Sequence, residues 1–468
     1  MTVNGASMGG ADFDLIVLGG GPAGSNAALH AAGIGMKTAL VEPGFLGGTC
    51  LNAGCVPTKY LLGASACLPL LRAQRRYKVA QGETPFDFAA LQARKERYIR
   101  GARKALQKKL EQAGVTLFKG RGVFSGPQLV TIRGSSLETK LTFFKCLVAI
   151  GSIPASFPDL KPDGATVCSP ASILNLLDVP KSLIIVGAGA IGLELGELLH
   201  RFGCNIDLTE ASSRLLPRED PEVGAALYSH YARQGWNIHR GRRIRSVKTV
   251  DGRSVLTFAD GETLTAETSL LCIGRRPATA ALTPEAAGLA VKDAGWLDSD
   301  AYLRCSEHVY AVGDINGRML IANAAEHQAR YAVEHAAGAT RDPYRCDAVP
   351  SCIYGGMEFM RVGPTAKELL GEGERVFLSK APLAASPVAQ SSGCIRGFVK
   401  MLWTNDSLRS VYAVGHDVSH LLTAASLLVS GQMKKNVPLP LIRAYPALDE
   451  VLESAIAAPL QSVEDDAC

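Results

Sequence analysis

One pattern occurs twice in this chain and limits its fold more than any other feature of the sequence. In the first copy, the apolar run Phe13–Leu18 leads into a G-x-G-x-x-G turn at Gly19, Gly21 and Gly24, and a second apolar run ends at Glu42. Continuous apolar runs are typical of parallel strands, and such glycines let the backbone approach a pyrophosphate at a helix N-terminus. The pattern predicts a dinucleotide-binding βαβ unit; a purely structural glycine turn is the alternative.

The second copy begins with the apolar run Ser182–Val186 and ends at Glu210, and its glycines are Gly187, Gly189 and Gly192. Two copies predict two dinucleotides on one chain, as an electron shuttle between two redox cofactors requires. A duplicated unit that has lost its ligand is the alternative. The Glu210 carboxylate suits the free 2′-hydroxyl of NAD and would repel the 2′-phosphate of NADP. We therefore expect NAD, with Arg214 able to weaken that preference.

The composition excludes several classes of protein. The 468 residues suggest about three domains, and the formal net charge of +5 is small for this length, without an obvious basic stripe. Nucleic acid and anionic membranes are therefore not expected partners, and no apolar run is long enough to span a bilayer. Residues 1–12 are polar and lack a signal core, so we expect a cytoplasmic protein.

Residues 87–112 predict a long amphipathic helix with a solvated face of Lys and Arg.

Cys50 and Cys55 form the close cysteine pair of the sequence. Five positions correspond to about 140° around a helix, so a disulfide needs a distorted turn, which Gly54 and Pro57 can supply. A bridge over so short a loop stabilises little and is of the labile, catalytic kind in a reducing compartment. A helix N-terminus and Lys59 would lower the pKa of nearby thiols. Zinc ligation and inert thiols are the alternatives, and the remaining cysteines are predicted to be mostly buried.

Segment 47–59, set between the two G-x-G-x-x-G units, resembles the class I flavoprotein disulfide reductases, the pyridine nucleotide-disulfide oxidoreductases. Within that family it looks most like dihydrolipoamide dehydrogenases and mercuric reductases. Further matches occur at residues 149–152, 274–277 and 313–314, so the resemblance covers nearly the whole chain. It implies an α/β fold with two Rossmann-like dinucleotide-binding domains plus a C-terminal α+β dimerisation domain. It also implies a homodimer whose active site is shared across the interface.

The resemblance assigns the domains and the cofactor contacts. Residues 1–155 and 276–346 would form an FAD-binding domain, residues 156–275 an NAD-binding domain, and residues 347–468 the interface domain. FAD would contact Gly19, Gly21, Gly24, Glu42, Gly48, Thr49, Lys59, Gly151 and Asp314. NAD would contact Gly187, Gly189, Gly192, Glu210 and Gly274. No metal site is expected.

The same resemblance implies an electron relay. NADH reduces the flavin on one face, and the flavin reduces the Cys50–Cys55 pair on the other; in the lipoamide direction electrons run from dithiol to NAD. Cys55, nearer the flavin, would form the charge-transfer thiolate, and Cys50 would exchange with substrate. Lys59 would lie beside flavin N5 and pair with Glu194.

The chain departs from the family near its C-terminus. Dihydrolipoamide and glutathione enzymes carry a His-Pro pair there, with a Glu a few residues on, and the His is the acid/base of the exchange. This chain has Tyr445-Pro446 with Glu450, so Tyr445 occupies the His position. Tyrosine titrates near pH 10 and is a poor base at neutral pH. We expect Tyr445 and Glu450 in the catalytic site, but slow turnover of lipoamide substrates.

Other departures are smaller. His416 and His420 are spaced i, i+4, which on a helix would suit a metal or replace the missing base; ordinary histidines are the alternative. At residues 354–358, where a Thr-x-Pro-Glu pattern is common, the Glu matches. Cys468 is single where mercuric reductases end in a cysteine pair, and an accidental surface thiol is the simpler interpretation. Cys67 is predicted to lie in the core.

We therefore expect an FAD-dependent, NAD(H)-linked disulfide oxidoreductase of the dihydrolipoamide dehydrogenase type, acting on a small dithiol or disulfide. The alternative keeps the same relay but reduces Hg(II), another soft metal, a quinone or a persulfide; loss of the His favours it, because metal reduction needs paired thiolates more than a proton relay. An alternative of another class is a redox or metal sensor without turnover. The complete glycine motifs and the Lys59–Glu194 pair favour electron flow.

Overall fold

The computed structural model describes residues 10–69, 71, 78, 86–134, 138–435, 437 and 444–463. The helices of these residues are α1 (Pro22–Gly33), α2 (Gly48–Ala53), α3 (Cys55–Ala64), α4 (Phe88–Gln112), α5 (Pro170–Ile173), α6 (Ala190–Arg201), α7 (Pro221–Arg233), α8 (Ala322–Ala336), α9 (Ala366–Gly371), α10 (Pro387–Ser391), α11 (Leu422–Ser430) and α12 (Glu450–Ala457).

The strands are, in chain order, β1 (Phe13–Leu18), β2 (Thr38–Glu42), β3 (Thr116–Lys119), β4 (Arg121–Gly126), β5 (Leu129–Arg133), β6 (Glu138–Val148), β7 (Ser152–Pro154), β8 (Val167–Cys168), β9 (Ser182–Val186), β10 (Asn205–Glu210), β11 (Asn237–Arg240), β12 (Ile244–Val250), β13 (Arg253–Phe258), β14 (Thr263–Ala266), β15 (Thr268–Leu271), β16 (Arg275–Pro277), β17 (Val309–Ala311), β18 (Pro350–Ile353), β19 (Glu358–Val362), β20 (Phe377–Pro382), β21 (Phe398–Thr404), β22 (Ser407–Gly415) and β23 (Gln461–Ser462).

The chain forms two compact units. Unit 1 is drawn from residues 1–60, 89–155 and 273–345, and unit 2 from residues 61–88, 156–272 and 346–468. Unit 2 therefore contains both the second glycine motif and the C-terminal sheet. The finer division into the four expected segments stays a prediction.

Unit 1 is built on a parallel sheet in the order β3-β2-β1-β6-β17, and β5 and β4 add to β6 in antiparallel fashion. In β1, Leu15 pairs with Thr38 of β2. The two faces of β1 belong to different apolar clusters: Ile16 and Leu18 to one, Leu15 and Val17 to the other. Burial on both faces explains the continuous apolar run, and the first predicted βαβ unit is confirmed.

Unit 2 repeats the arrangement with a parallel sheet in the order β11-β10-β9-β15-β8, where α6 connects β9 to β10. Strands β12, β13 and β14 form a small antiparallel sheet. The C-terminal residues form an antiparallel sheet in the order β18-β19-β22-β21-β20-β23, and α11 and α12 pack with it around Met401 and Trp403. The expected fold class, two dinucleotide-binding units plus an α+β C-terminal part, is confirmed.

Glycines at positive φ interrupt several apolar runs of the chain. Gly120 (φ +158°) separates β3 from β4 within residues 115–123. Gly151 (φ +69°) follows the end of β6, and Gly274 (φ +107°) lies between β15 and β16. The run toward Asp314 stops at the end of β17 and continues as the short 3₁₀ helix Gly313–Asn316.

Candidate dinucleotide and redox sites

The first glycine motif forms a close-packed turn between β1 and α1. Gly19 has φ +101°, and a Cβ there would lie 2.5 Å from the carbonyl oxygen of Ala149. A Cβ at Gly24 would overlap the carbonyl oxygen of Gly19, so the helix can approach the strand only with glycine at this position. Gly48, at the start of α2, packs against Gly21, since a Cβ at Gly48 would lie 2.7 Å from the Gly21 Cα.

The N-terminus of α1 has the donor set that an anionic pyrophosphate requires. Gly21 is the N-cap, Pro22 occupies the first turn, and within the described residues no side chain caps the helix. The amides of the first turn thus face a glycine-lined cradle, which fits the diphosphate of FAD. Glu42 is held beside this turn because its carboxylate accepts the N–H groups of Gly20 and Gly44, each at 2.7 Å. The remaining lone pairs of the carboxylate suit ribose hydroxyls.

The second motif repeats this geometry in unit 2. Gly187 has φ +103°, and a Cβ at Gly192 would overlap the Gly187 carbonyl oxygen. Gly189 caps α6 without a side-chain partner among the residues described. Glu210 accepts N–H groups from Ala188 at 2.9 Å and from Ser212 at 2.8 Å, as Glu42 does in unit 1. The same donor set fits the diphosphate and ribose of NAD.

Asp314 belongs to a hydrogen-bonded triad that the sequence did not show. Ser152 donates its hydroxyl to Asp314 Oδ2 at 2.5 Å, and Arg275 Nε donates to the Ser152 hydroxyl at 2.6 Å. Arg275 Nε also lies 3.6 Å from Asp314 Oδ2. The triad connects residues 149–152 with residues 274–277, and it sets the Asp314 carboxylate beside a cation in unit 1.

Gly274 lies in unit 1, whereas the second glycine motif lies in unit 2. Its carbonyl accepts the Ala155 N–H at 2.9 Å, beside the pairing of β16 with β7. The NAD contact expected at Gly274 stays a prediction. The antiparallel pairing of β16 with β7 joins residues more than a hundred positions apart in the sequence. Spacing along the sequence therefore gave no sign of this pairing.

The segment that carries the cysteine pair is a broken helix. Helix α2 ends at Ala53, Gly54 departs from helical geometry at φ −148° and ψ −110°, and α3 begins at Cys55. The predicted distortion at Gly54 is therefore confirmed, and Thr49 lies within α2. Both cysteines are present as thiols, Cys50 partly buried and Cys55 exposed.

The thiol of Cys50 is hydrogen-bonded to Cys55, and this bond is the first cause of a raised pKa of Cys50. Burial and the negative charges of Cys55 and Glu326 also raise the pKa of Cys50, while Lys59 lowers it. The expectation that Lys59 and the helix N-terminus would make this pKa low is wrong, because the hydrogen bond and burial outweigh the cation. The hydrogen bond and burial thus favour the protonated form of Cys50, and the thiolate role expected for Cys55 stays a prediction.

Asn52, between the two cysteines, anchors the preceding loop. Its amide donates to the carbonyls of Leu46 at 3.0 Å and Gly48 at 2.8 Å. Its carbonyl oxygen accepts a hydrogen bond from Arg103 of α4, whose guanidinium lies 4.0 Å from the centre of the Phe45 ring. Sequence reasoning missed Arg103, since it lies 51 residues from Asn52.

Glu194 and Tyr445 lie in unit 2, whereas Cys50 and Lys59 lie in unit 1. Glu194 is 5% exposed on α6, and its carboxylate accepts the Tyr354 N–H at 3.1 Å. The Lys59–Glu194 pair stays a prediction. Tyr445 is 81% exposed.

Glu450 begins α12 and accepts the Ala447 N–H at 3.2 Å, so its carboxylate fixes the turn that follows Tyr445. The catalytic roles expected for Tyr445 and Glu450 stay predictions. His416 and His420 do not share a helix face: His416 lies in a turn after β22, and His420 in the 3₁₀ helix Val418–Leu421. In the described part of the chain no group of three or more potential ligands is arranged to hold a metal ion.

The remaining cysteines are less uniformly buried than expected. Cys146, Cys168 and Cys204 are buried, but Cys67 is exposed, so its assignment to the core is wrong. The apolar residues around Cys67 suggested burial because apolar content alone does not fix which side of a helical turn faces solvent. Cys468 lies outside the described residues.

The chain matches known proteins over nearly its whole length. Residues 13–329 match the family described as pyridine nucleotide-disulphide oxidoreductase, and residues 349–456 match the dimerisation domain of that family. A dihydrolipoyl dehydrogenase of Chlorobaculum tepidum is 32% identical over 462 residues, covering 97% of this chain and 98% of the relative. One of Bacillus subtilis is 32% identical over 468 residues, covering 96% and 98%.

Solved structures share the fold. LpdA from Mycobacterium tuberculosis superposes with a TM-score of 0.87 at 25% identity, covering 94% of this chain and 98% of that one. The HOCl-induced flavoprotein disulfide reductase RclA from Escherichia coli gives a TM-score of 0.83 at 23% identity, covering 95% and 99%. No helix within the described ranges is long and apolar enough to cross a membrane. The chain therefore belongs to the pyridine nucleotide-disulphide oxidoreductase family, and it is a homodimeric disulfide oxidoreductase that depends on FAD and NAD.

Proposed function

We propose that this enzyme transfers electrons between NAD(H) and a small dithiol or disulfide through Cys50 and Cys55, with a lipoyl-type dithiol as the leading substrate. The observation that carries the proposal is the close thiol pair, in which Cys50 is hydrogen-bonded to Cys55 across the break between two helices. The names of the full-length relatives, dihydrolipoyl dehydrogenases at 32% identity, support the choice of substrate.

The pair suits attack at Cys50. In the disulfide form of the pair, a substrate thiolate attacks the Cys50 sulfur, the Cys50–Cys55 bond breaks, and Cys55 leaves as a thiolate. The second substrate thiol then displaces Cys50 from the mixed disulfide. The substrate is oxidised to its disulfide, two electrons remain on the dithiol pair, and two protons leave the substrate thiols. The bound FAD supplies the exchange of that electron pair with NAD as hydride.

The other predicted site residues are assigned to cofactor binding and to the active site. We assign the diphosphate and ribose of FAD to the first glycine turn, Glu42 and the Asp314 triad, and those of NAD to the second glycine turn and Glu210. Lys59 and Glu194 are assigned to the flavin side of the relay. Tyr445 and Glu450 are assigned to the active site that the dimer shares across its interface, where Tyr445 replaces the usual imidazole.

The proposal is tested by anaerobic titration and steady-state assays. Purified protein should be yellow, NADH should bleach it, and a long-wavelength charge-transfer band should follow two-electron reduction. Cys50→Ser should retain that band and lose turnover of dihydrolipoamide, whereas Cys55→Ser should lose both. A colourless protein that takes up no FAD would contradict the whole assignment.

A second candidate function is reduction of a soft metal ion such as Hg(II). The observation that favours it is the exposed Tyr445 in the place of an imidazole, because two thiols bind a soft cation without a proton relay. In that reaction Hg(II) gains the two electrons of NADH, and one proton is released. NADH oxidation driven by Hg(II) and faster than dihydrolipoamide oxidation would favour this candidate over the first.

We further propose a cytoplasmic location, where NADH is supplied and the short-loop disulfide is kept in turnover. Immunodetection in fractionated cells tests it. Enrichment in a secreted or periplasmic fraction would contradict it.

A further inference from the structure

Helix α4 carries an exposed basic face that the sequence suggested was merely solvated. Its acidic residues are Glu96 and Glu111. The basic side chains that reach solvent are Arg94, Arg97, Arg100, Lys104, Lys108 and Lys109. This helix therefore concentrates positive charge on a chain whose total net charge is +5.

The charges form a stripe along one side of the helix. Arg97, Arg100, Lys104 and Lys108 follow one another at spacings of three and four residues, which places them on one helical face. The opposite face, represented by Ile99, is buried. The stripe is thus continuous and directed to solvent; we call these four residues the α4 stripe.

Two contacts fix this helix to the segment that bears the cysteines. Arg103 donates a hydrogen bond to Asn52, which lies between Cys50 and Cys55. Tyr98, 51% exposed, stacks on Tyr60 of α3 with ring centres 5.3 Å apart. Arg100 lies one helical turn before Arg103, on the same side of α4. The stripe therefore begins beside the residues that position the reactive thiols.

Two of the charges that act on Cys50 have opposite signs. Lys59, which is positive, lowers the pKa of Cys50, and Glu326, which is negative, raises it. Two opposite unit charges largely offset each other for an approaching ligand. The α4 stripe adds exposed positive charge, which attracts an approaching anion and does not attract a neutral molecule.

We propose that the α4 stripe selects anionic substrates, that is, dithiols or disulfides that carry carboxylate or phosphate groups, over neutral ones. The inference rests on the proposed thiol–disulfide exchange and names the substrate class of that site. The stripe acts on association, so its effect falls on kcat/KM and weakens as salt screens the charges over a Debye length.

The test compares two substrates that share the reacting thiols and differ in charge, dihydrolipoate and dihydrolipoamide. At an ionic strength of about 10 mM, kcat/KM for dihydrolipoate should exceed that for the amide by about threefold to tenfold. The ratio should approach one at about 200 mM, where screening is strong. Arg97→Gln with Arg100→Gln should reduce the ratio toward one and leave kcat for the amide unchanged.

A matched control removes two charges from the far end of the same helix, Lys108→Gln with Lys109→Gln. This pair lies five or more residues beyond Arg103 and should change the ratio less than the Arg97/Arg100 pair. A ratio of one or below at low salt, or equal effects of the two double variants, would overturn the inference.

A second readout separates this inference from the proposed function. The NADH-reduced enzyme is used in a Cys67→Ser background, because Cys67 is exposed and would also react. It is mixed with dithiobis(nitrobenzoate), a dianionic disulfide, or with dithiodipyridine, a neutral one, and thiol release is followed. Salt and the Arg97/Arg100 double variant should slow the first reaction and not the second. Equal responses to both disulfides would overturn the charge preference, whereas no reaction with either would overturn the proposed exchange at Cys50.

Discussion

The thiol of Cys50 is hydrogen-bonded to Cys55, and this bond leads the effects that raise the pKa of Cys50. A raised pKa means that Cys50 is protonated at neutral pH and that its nucleophilic fraction falls tenfold for each pH unit below the pKa. The hydrogen bond and burial therefore both oppose ionisation of Cys50 before substrate binds.

Replacing Cys55 by Ala should make Cys50 more reactive. The change removes the hydrogen bond and the neighbouring negative charge, so the pKa of Cys50 falls and its thiolate fraction at neutral pH rises. The alkylation rate of Cys50 with iodoacetamide should have its midpoint on the pH axis lowered by about one unit or more. The measurement uses a Cys67→Ser background, because Cys67 is exposed and would also react. An unchanged midpoint would assign the raised pKa to burial instead.

Replacing Arg275 by Met should weaken FAD binding. Arg275 donates to Ser152 at 2.6 Å, and Ser152 donates to Asp314, so the change leaves a carboxylate without its cation. Loss of a charged hydrogen bond costs about 1.5–3 kcal/mol, or about tenfold or more in the Kd for FAD. Reconstitution of apoenzyme measures it, with Arg276→Met as the control, since Arg276 is exposed on the same strand. Equal affinity in both variants would show that the triad does not act on FAD.

Substitutions in the two glycine turns should affect the binding of different cofactors. A Cβ at Gly24 overlaps the Gly19 carbonyl, and a Cβ at Gly192 overlaps the Gly187 carbonyl. Such overpacking costs about 1–3 kcal/mol. Gly24→Ala should lose FAD, whereas Gly192→Ala should stay yellow with a KM for NADH raised about fivefold or more. Absorbance of the purified proteins and NADH kinetics check the result; loss of FAD from Gly192→Ala would contradict the assignment of the second turn to NAD.

Glu210 should make NADH the better nucleotide. Its carboxylate is fixed by the Ala188 and Ser212 amides, so it cannot turn away from a 2′-phosphate without breaking both hydrogen bonds. A repulsion of about 1.4 kcal/mol already gives a tenfold preference in kcat/KM over NADPH. Arg214 is engaged by the Pro217 carbonyl at 3.0 Å, and Glu210→Ala should narrow the preference. Equal use of both nucleotides by the unmodified enzyme would show that a cation compensates for Glu210.

Local features of the sequence predicted local features of the structure. The glycine spacing predicted both turns because a Cβ at the third glycine of each motif would collide with the carbonyl of the first glycine. Gly54 predicted the break between Cys50 and Cys55. Contacts between distant segments were not predictable: Ser152 meets Arg275 across 123 residues, and Asn52 meets Arg103 across 51. The direction of the Cys50 pKa depended on such geometry, since Lys59 was visible in the sequence and the thiol–thiol hydrogen bond was not.

The last prediction concerns Tyr445. If Tyr445 lies opposite Cys50 in the assembled dimer, a phenol stands where the family has an imidazole. A phenol donates a hydrogen bond at neutral pH but does not accept a substrate proton, whereas an imidazole does. The rate with dihydrolipoamide should therefore be low near pH 7 and climb toward the pKa of the substrate thiol, because the thiol must ionise unaided.

Tyr445→His should raise that rate by up to about a hundredfold if general-base catalysis is restored. It should also add to the pH–rate profile a limb near the pKa of an imidazole. Glu450 begins the next helix and already fixes the turn through Ala447, so it is placed to orient the new ring. Tyr445→Phe is the control, and it should lower the rate only where the hydroxyl itself positions substrate. The measurement is a pH–rate profile of the three proteins with dihydrolipoamide and with Hg(II). High activity of the unmodified enzyme that Tyr445→His leaves unchanged would show that Tyr445 is not opposite Cys50, and the soft-metal candidate would lose its main support.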